Sequence, residues 1–212
     1  MSDLKNSKSV NSKIKPFSEV TEFHGHVCPG SAIGYRAAEV AIEELSSKKA
    51  YDEELICITE NDTCAVDAIQ VVTGCTFGKG NLIFHDYGKQ AYTFINRETE
   101  DAVRVSLKDS FSVDKIDPML NKLRRKVNSG QASLEDKENL KIHVDKASME
   151  ILNLPAKEMF NIEHVKAEIP KKARLFESLE CHECGEITSK HRLKEINGEL
   201  LCIPCYNKHK GI

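Results

Sequence analysis

The stretch from Glu54 to Gly74, ELICITENDTCAVDAIQVVTG, predicts a strand that leads directly into a helix. Residues 54–59 are mostly apolar and rich in β-branched side chains, which is typical of a buried strand. The polar residues 61–63 can cap a helix whose apolar side chains recur at helical spacing, and Gly74 can end it. Cys64 therefore falls in the first turn of a helix, just beyond a strand.

The neighbouring segments extend this alternation. Helical spacing runs from Ser31 to Leu45 after Pro29, so Cys28 is predicted to lie at or just before a helix N-terminus. Further strands are predicted at 81–85, 90–96 and 102–107, with a hairpin turn at Asp86-Tyr87-Gly88, and further helices at 117–129 and 133–152. The second of these helices opens with Ser133 and Asp136 in capping-box spacing. The pattern predicts an α+β or α/β domain.

The composition is that of an ordinary globular protein of one or two domains, with 212 residues, 30% of them charged and 40% hydrophobic. No apolar run approaches the roughly 18 residues that span a bilayer, which argues against a membrane protein. Residues 1–16 contain lysines among serine and asparagine but no apolar core, so we expect a flexible tail and a cytoplasmic protein. In a reducing cytosol, the eight cysteines are expected to bind metal or perform thiol chemistry.

The distribution of charge argues against a nucleic-acid partner. Residues 17–120 contain nine basic and eighteen acidic side chains, and residues 171–212 have a net charge of only +2. A surface that binds nucleic acid needs a concentrated basic field, commonly with interleaved aromatic side chains. The last segment contains only Phe176 and Tyr206 as aromatic residues. We therefore expect neither nucleic acid nor a membrane as a partner.

The C-terminal segment predicts a structural zinc site. Cys181-x₂-Cys184 and Cys202-x₂-Cys205 are separated by seventeen residues, and each pair can supply two thiolates from one tight turn. Four thiolates leave no open position on a tetrahedral Zn²⁺, so the metal is predicted to fold residues 171–212. An iron–sulfur site also uses four cysteines, but two well-separated pairs fit zinc better.

A second metal site is predicted near the N-terminus. If the chain before Cys28 is extended, the side chains of His24, His26 and Cys28 project to one side. Cys64 is a fourth candidate ligand, and two helix N-termini would lower the pKa of both thiols. Such a site can stay open and suits zinc, nickel or iron, so Cys28 and Cys64 are candidate catalytic residues. Acidic side chains accompany Cys64 at Glu60, Asp62 and Asp67.

Two alternatives remain open at this site. The residues do not decide which of His24 and His26 is a ligand. They are also compatible with a capping histidine, a core histidine and two buried cysteines that bind no metal.

The loop from Thr73 to Asn81 is a candidate binding element. Its glycines expose backbone N–H groups, and with Gly78 and Lys79 they predict a cradle for an anion or phosphate. Cys75 is expected to be a third thiol near the metal. The alternative is a simple glycine-rich connection, since the spacing is not that of a P-loop. Cys57, inside an apolar strand, is predicted to be a core residue.

Taken together, these motifs resemble a known family. They are His24-Gly-His26-x-Cys28-Pro29-Gly30 with Gly34-x-Arg36, then Asp62-x-Cys64-x-x-Asp67-x-x-Gln70, then Gly74-Cys75-Thr76-x-Gly78-Lys79-Gly80-Asn81, and Asp86-x-Gly88-Lys89. Over residues 17–170 the chain resembles the FmdE family, which takes its name from a component of tungsten or molybdenum formylmethanofuran dehydrogenase. Residues 171–212 resemble the zinc finger that some members append.

The resemblance implies a thioredoxin-like α+β core with a mixed sheet flanked by helices, a metal-binding active site, a C-terminal treble-clef zinc finger and a homodimer. It also implies an oxidoreductase component linked to methanogenesis and one-carbon metabolism, with formylmethanofuran dehydrogenase subunits or another redox protein as partners.

Three functions are therefore considered. The first is a His/Cys metalloprotein in redox or one-carbon chemistry. The second is a non-catalytic accessory that binds a partner or delivers metal. The third, a nucleic-acid-binding regulator built around the finger, has the least support in the sequence.

Overall fold

The computed structural model describes residues 14–211 and divides into two compact units between Lys172 and Ala173. The tail predicted at residues 1–16 lies, up to residue 13, outside the described residues. Within residues 14–211, no helix combines the length and the apolar character that crossing a membrane requires.

The described part of the first unit contains five strands and seven helices. The strands are β1 (Leu55–Thr59), β2 (Leu82–Phe84), β3 (Ala91–Asn96), β4 (Ala102–Leu107) and β5 (Phe160–Val165). The helices are α1 (Phe17–His24), α2 (Pro29–Glu44), α3 (Ala65–Thr73), α4 (Val113–Ile116), α5 (Pro118–Asn128), α6 (Leu134–Asn153) and α7 (Ala156–Met159). The strands and helices predicted from periodicity are confirmed, whereas α1 and β5 carried no clear signal.

The five strands form one mixed sheet in the order β2-β1-β3-β4-β5. β2 is parallel to β1, and the other neighbouring strands are antiparallel. Side chains alternate across the sheet, so Leu55 and Cys57 join the main core with the helices, while Ile56 joins a smaller apolar cluster. The α+β class, the mixed sheet and the core position of Cys57 are thereby confirmed.

The hairpin turn predicted at 86–88 is wrong. Strand β1 lies between β2 and β3, so these two strands do not pair with each other. The connection instead crosses the end of β1, where the N–H groups of His85 and Lys89 donate to the carbonyls of Thr59 and Glu60. Turn-forming residues predict a change of direction, but they do not reveal a third strand inserted between the two arms.

Helices α5 and α6 form a pair that is joined at both ends. Ser133 and Asp136 form the predicted capping box at the start of α6. Asp117 caps α5 by accepting from the N–H groups of its first turn, and its other carboxylate oxygen lies 2.6 Å from His143 Nδ1 on α6. Asp117 is buried, so this contact fixes the two helices where solvent is excluded.

The close approach of α2 to α3 positions the N-terminal site. A Cβ added to Gly34 would lie 2.1 Å from the carbonyl oxygen of Ala65 and 2.5 Å from its Cα. Gly34 therefore serves contact between two backbones, and no other residue fits without separating the helices. Because Cys28 and Cys64 are the N-cap residues of α2 and α3, this contact brings the two thiols together.

The second unit consists of two short antiparallel hairpins followed by a helix. Its elements are β6 (Ser178–Glu180), β7 (Ile187–Ser189), β8 (Lys194–Ile196), β9 (Glu199–Leu201) and α8 (Ile203–Lys210). Cys181, Leu201 and Cys202 form its buried apolar cluster. Three such residues are a small core for about 40 residues, which is the situation in which a bound metal contributes most to folding.

Candidate metal centres

The four C-terminal cysteines converge as the sequence predicts. The sulfur atoms of Cys181, Cys184, Cys202 and Cys205 lie within 4.8 Å of one another. The Sγ atoms of Cys184 and Cys202 are 3.8 Å apart. Two thiolates that are each about 2.3 Å from a tetrahedral zinc would be separated by about 3.8 Å, so the spacing fits this metal.

Backbone N–H groups favour the thiolate form at this site. The backbone N–H of Cys202 donates to Cys181 Sγ over 3.2 Å. Hydrogen bonds from the backbone of Cys184 and of Cys202 lower the pKa of Cys181 to about 6. A thiolate is the form that binds zinc, so the fold prepares this ligand for the metal.

Three of the predicted N-terminal ligands also converge. One side-chain ligand atom from each of His24, His26 and Cys28 lies within 4.8 Å of the other two. His24 Nε2 is 3.6 Å from Cys28 Sγ. A nitrogen at about 2.05 Å and a sulfur at about 2.3 Å on one tetrahedral metal would be about 3.6 Å apart, so this pair fits a shared metal.

The convergence does not come from an extended chain, as the sequence suggested. His24 is the last residue of α1, and Gly25 ends that helix in the left-handed region with φ +85°. Cys28 itself has the extended backbone expected, with φ −151° and ψ 153°. The two histidine rings lie with their centroids 4.4 Å apart because the chain reverses at Gly25.

Asp67 orients His24. Its Oδ2 lies 2.7 Å from His24 Nδ1, and Gln70 Nε2 lies 3.4 Å from its other carboxylate oxygen, Oδ1. A histidine that donates Nδ1–H to a carboxylate leaves the Nε2 lone pair free for a metal, and here Nε2 faces Cys28. The hydrogen bond to Asp67, opposed by burial and aided by Cys28, raises the pKa of His24.

Sequence reasoning noted Asp67 only as a neighbour of Cys64. The signal for its contact with His24 is its place in the first turn of α3, but the pairing itself joins residues 43 positions apart.

Cys28 is held by the N-terminal turn of α2. Its Sγ accepts from the backbone N–H of Ser31 over 3.3 Å and lies 3.5 Å from the Ser31 hydroxyl. Burial raises the pKa of Cys28, but hydrogen bonds from Ser31, Cys64 and His24 outweigh burial and leave the pKa lowered. The thiolate predicted at this helix N-terminus is thus supported.

Cys64 behaves differently, and the prediction of a lowered pKa is wrong for this thiol. Burial, the charge of Cys28 and the hydrogen bond with Cys28 raise its pKa. Two thiolates side by side would repel each other, so the pair holds one negative charge and one proton.

Cys64 lies beside Cys28 without joining the three ligand atoms. A Cβ added to Gly30 would lie 3.7 Å from Cys28 Sγ and 3.9 Å from Cys64 Sγ, so the two sulfurs flank this glycine. In the described residues, the group within 4.8 Å comprises His24, His26 and Cys28 only. Glu60, which precedes Cys64 by four residues, pairs instead with Arg104 over 2.8 Å.

The predicted binding loop is largely occupied by its own contacts. Cys75 is fully buried, its thiol donates to the Leu55 carbonyl over 3.3 Å, and burial raises its pKa to about 12. Lys79 Nζ lies 3.4 Å from the carbonyl oxygens of both Ala50 and Tyr51. A Cβ added to Gly78 would meet nothing within 4 Å. These contacts favour packing and tethering roles over the cofactor contacts expected for Cys75, Gly78 and Lys79.

Comparison with known families now decides the classification. The sequence model described as "FmdE, Molybdenum formylmethanofuran dehydrogenase operon" matches residues 23–161, which is well over half of the chain. The chain belongs to the FmdE family. The model of the prokaryotic dksA/traR C4-type zinc finger matches residues 174–211, so the predicted finger is confirmed.

Two relatives place this FmdE protein more closely. It is 31% identical over 200 residues to a "Probable S-adenosyl-L-methionine-binding protein" of Archaeoglobus fulgidus. That alignment covers 90% of this chain and 52% of the relative, so the chain spans about half the length of the archaeal protein.

The second relative is an FmdE-like protein of tungsten formylmethanofuran dehydrogenase from Syntrophus aciditrophicus, whose crystal structure shares the fold. The TM-score is 0.56 at 24% identity, covering 91% of this chain and 90% of that chain.

Proposed function

We propose that this FmdE-family protein carries an open metal centre at His24, His26 and Cys28 and acts in redox or one-carbon chemistry. The observation that carries the proposal is the line of contacts from Asp67 to His24 Nδ1 and from His24 Nε2 to Cys28 Sγ. A carboxylate behind a histidine that faces a thiolate is the arrangement that orients a metal ligand. Bound zinc would supply Lewis acidity, and nickel or iron would add redox chemistry.

The protein's own side chains have distinct tasks in this proposal. Asp67 keeps the proton of His24 on Nδ1 and so presents Nε2 as the ligand. Cys28 supplies the thiolate, and Cys64 holds a proton at Sγ beside it, because its pKa is raised. Three ligands leave one position of a four-coordinate shell open for a substrate. The Cys28 and Cys64 thiols would therefore carry the function together.

The family description supports a role beside formylmethanofuran dehydrogenase. We infer that the protein works in the cytoplasm with subunits of that enzyme, or with another redox protein, in methanogenesis-linked one-carbon metabolism. His26 is the exposed member of the ligand group, so a partner would approach from its side.

The same exposure favours one alternative function. A metal with an exposed histidine ligand and an open position can exchange, as in a non-catalytic accessory protein that delivers metal or docks to a partner. Catalysis requires the metal to stay during turnover, whereas delivery requires it to leave. The rate of metal transfer to a competing chelator, measured with and without the partner enzyme, distinguishes the two.

Metal analysis of the anaerobically purified protein tests the centre itself. We expect two metals per chain in the wild type, and one in each of Cys28→Ser and Cys184→Ser, because the two ligand sets share no residue. X-ray absorption of Cys184→Ser should then show mixed nitrogen and sulfur ligands. Purely four-sulfur coordination in the wild type, unchanged by Cys28→Ser, would refute the N-terminal centre.

Cys64→Ser measures whether the second thiol is a ligand or a neighbour. The sequence predicts that this variant loses the metal. Loss of the metal would make Cys64 the fourth ligand, and retention with altered reactivity would assign its role to the proton it holds.

We also propose a homodimer, as the family resemblance implies. Sedimentation equilibrium should then give twice the 23.8 kDa chain mass. A single species of 23.8 kDa at all concentrations would contradict the proposal.

A further inference from the structure

A cleft with a volume of about 440 Å³ adjoins the N-terminal metal centre. Phe23, which directly precedes His24, forms part of one wall, and Gln70 forms part of another. Gln70 also lies 3.4 Å from Asp67, the carboxylate that orients His24. The cleft therefore shares its walls with the elements that hold the metal ligand.

The charges in the cleft leave one cation and one anion without a partner. Its lining includes Lys15, Lys49, Glu19 and Glu22. Lys15 forms an ion pair with Glu19, one turn away on the chain. Lys49 and Glu22 form no ion pair with any residue of 14–211 that the structure describes. The cleft thus offers a free ammonium and a free carboxylate to a ligand.

The setting of Lys49 favours an anionic ligand group. Burial, together with the positive charges of Lys15 and Lys79 and against the charge of Glu19, lowers the pKa of this lysine. A ligand carboxylate beside Lys49 would offset that repulsion.

The cleft also contains apolar surface. Phe23 is 60% exposed, and Val71 lies in the same lining. An exposed aromatic ring in a cleft, beside a few polar groups, is the usual environment for the apolar part of a small ligand.

We propose that this cleft binds a small zwitterion, an α-amino acid with an apolar side chain. Its carboxylate would meet Lys49, its ammonium Glu22, and its side chain Phe23 and Val71. In naming this ligand as the substrate class of the metal centre, the inference rests on the proposed function; the binding itself requires no metal. A ligand with both charges uses both unpaired groups, whereas a simple anion or amine leaves one of them unpaired.

Three probes of one shape test the assignment on the full-length protein. They are phenylalanine, 3-phenylpropionate, which lacks the ammonium, and phenethylamine, which lacks the carboxylate. Titration followed by NMR should show phenylalanine binding about tenfold more tightly than either analogue, since each charged hydrogen bond contributes at least that factor.

Two variants assign the two charges separately. Lys49→Gln should abolish the advantage of phenylalanine over phenethylamine, and Glu22→Gln should abolish its advantage over 3-phenylpropionate. Lys48→Gln removes a neighbouring exposed lysine that does not line the cleft and should change neither ratio. Equal affinity for the three probes, absence of saturable binding, or an unchanged ratio in Lys49→Gln would each overturn the proposal.

The metal is tested independently in the same experiment. Cys28→Ser should lose the N-terminal metal and still bind phenylalanine, while Lys49→Gln should keep the metal and lose the discrimination. A failure of the metal centre would appear as unchanged metal content in Cys28→Ser. A failure of the cleft would appear in the affinities alone.

Discussion

Replacing Gly34 by alanine tests the helix contact that brings Cys28 and Cys64 together. The new Cβ would lie 2.1 Å from the carbonyl oxygen of Ala65, with two more backbone atoms of that residue within 2.6 Å. Helix α2 would have to move about 1 Å away from α3 to restore ordinary van der Waals separation, since packed interiors have no free space to absorb it.

The expected cost follows from two opposing effects. Overpacking of a close interface costs up to about 3 kcal/mol, and three backbone contacts place this site at the upper end. Alanine regains about 1 kcal/mol over glycine inside a helix. The free energy of unfolding should therefore fall by about 2 kcal/mol.

Urea denaturation followed by far-UV circular dichroism measures the change. With an m-value of about 2 kcal/mol/M, the midpoint should fall by about 1 M. Gly78→Ala is the matched control, because its added Cβ meets nothing within 4 Å and its φ is ordinary. Its midpoint should stay the same or rise slightly.

The same variant should also lose N-terminal metal, because the two thiols separate when the helices move. If Gly34→Ala were as stable as Gly78→Ala and kept its metal, the close contact of α2 and α3 would not be what assembles the site.

Three further perturbations test the other parts of the molecule. Cys184→Ser should abolish the finger's zinc and make residues 173–211 sensitive to protease while the first unit stays resistant, and a resistant tail that retains zinc would contradict this. Asp67→Asn should weaken N-terminal metal affinity about 10- to 100-fold, measured by chelator competition, because His24 loses the carboxylate that sets its tautomer; unchanged affinity would remove Asp67 from the site. Burial raises the pKa of Asp117, but hydrogen bonds from His143 and from the start of α5 outweigh burial and leave the pKa lowered, so the stabilisation is complete above the ordinary pKa near 3.8 and is lost as the pH falls towards the lowered value. Asp117→Asn should flatten the loss of stability below about pH 5 in urea titrations, and an identical acid profile in both proteins would refute that role.

The sequence by itself determined the local elements and the closed zinc site. The strand at 54–59, the helix after Cys28 and the capping box at Ser133 follow from periodicity and capping, which act between near neighbours. The finger could be predicted because Cys181 and Cys184, like the second pair, sit in one tight turn, so spacing alone constrains the sulfur positions. A short-range pattern is sufficient where the physical interaction is itself short-range.

The tertiary structure decided what long-range contacts decide. The hairpin predicted at 86–88 was wrong because β1 inserts between β2 and β3, and no property of a turn encodes that insertion. The pairing of Asp67 with His24 joins α3 to the end of α1, and the contact at Gly34 sets how closely α2 approaches. The two helix N-termini alone predicted two thiolates, but their separation is short enough that one charge suppresses the second, leaving Cys28 with a lowered pKa and Cys64 with a raised one.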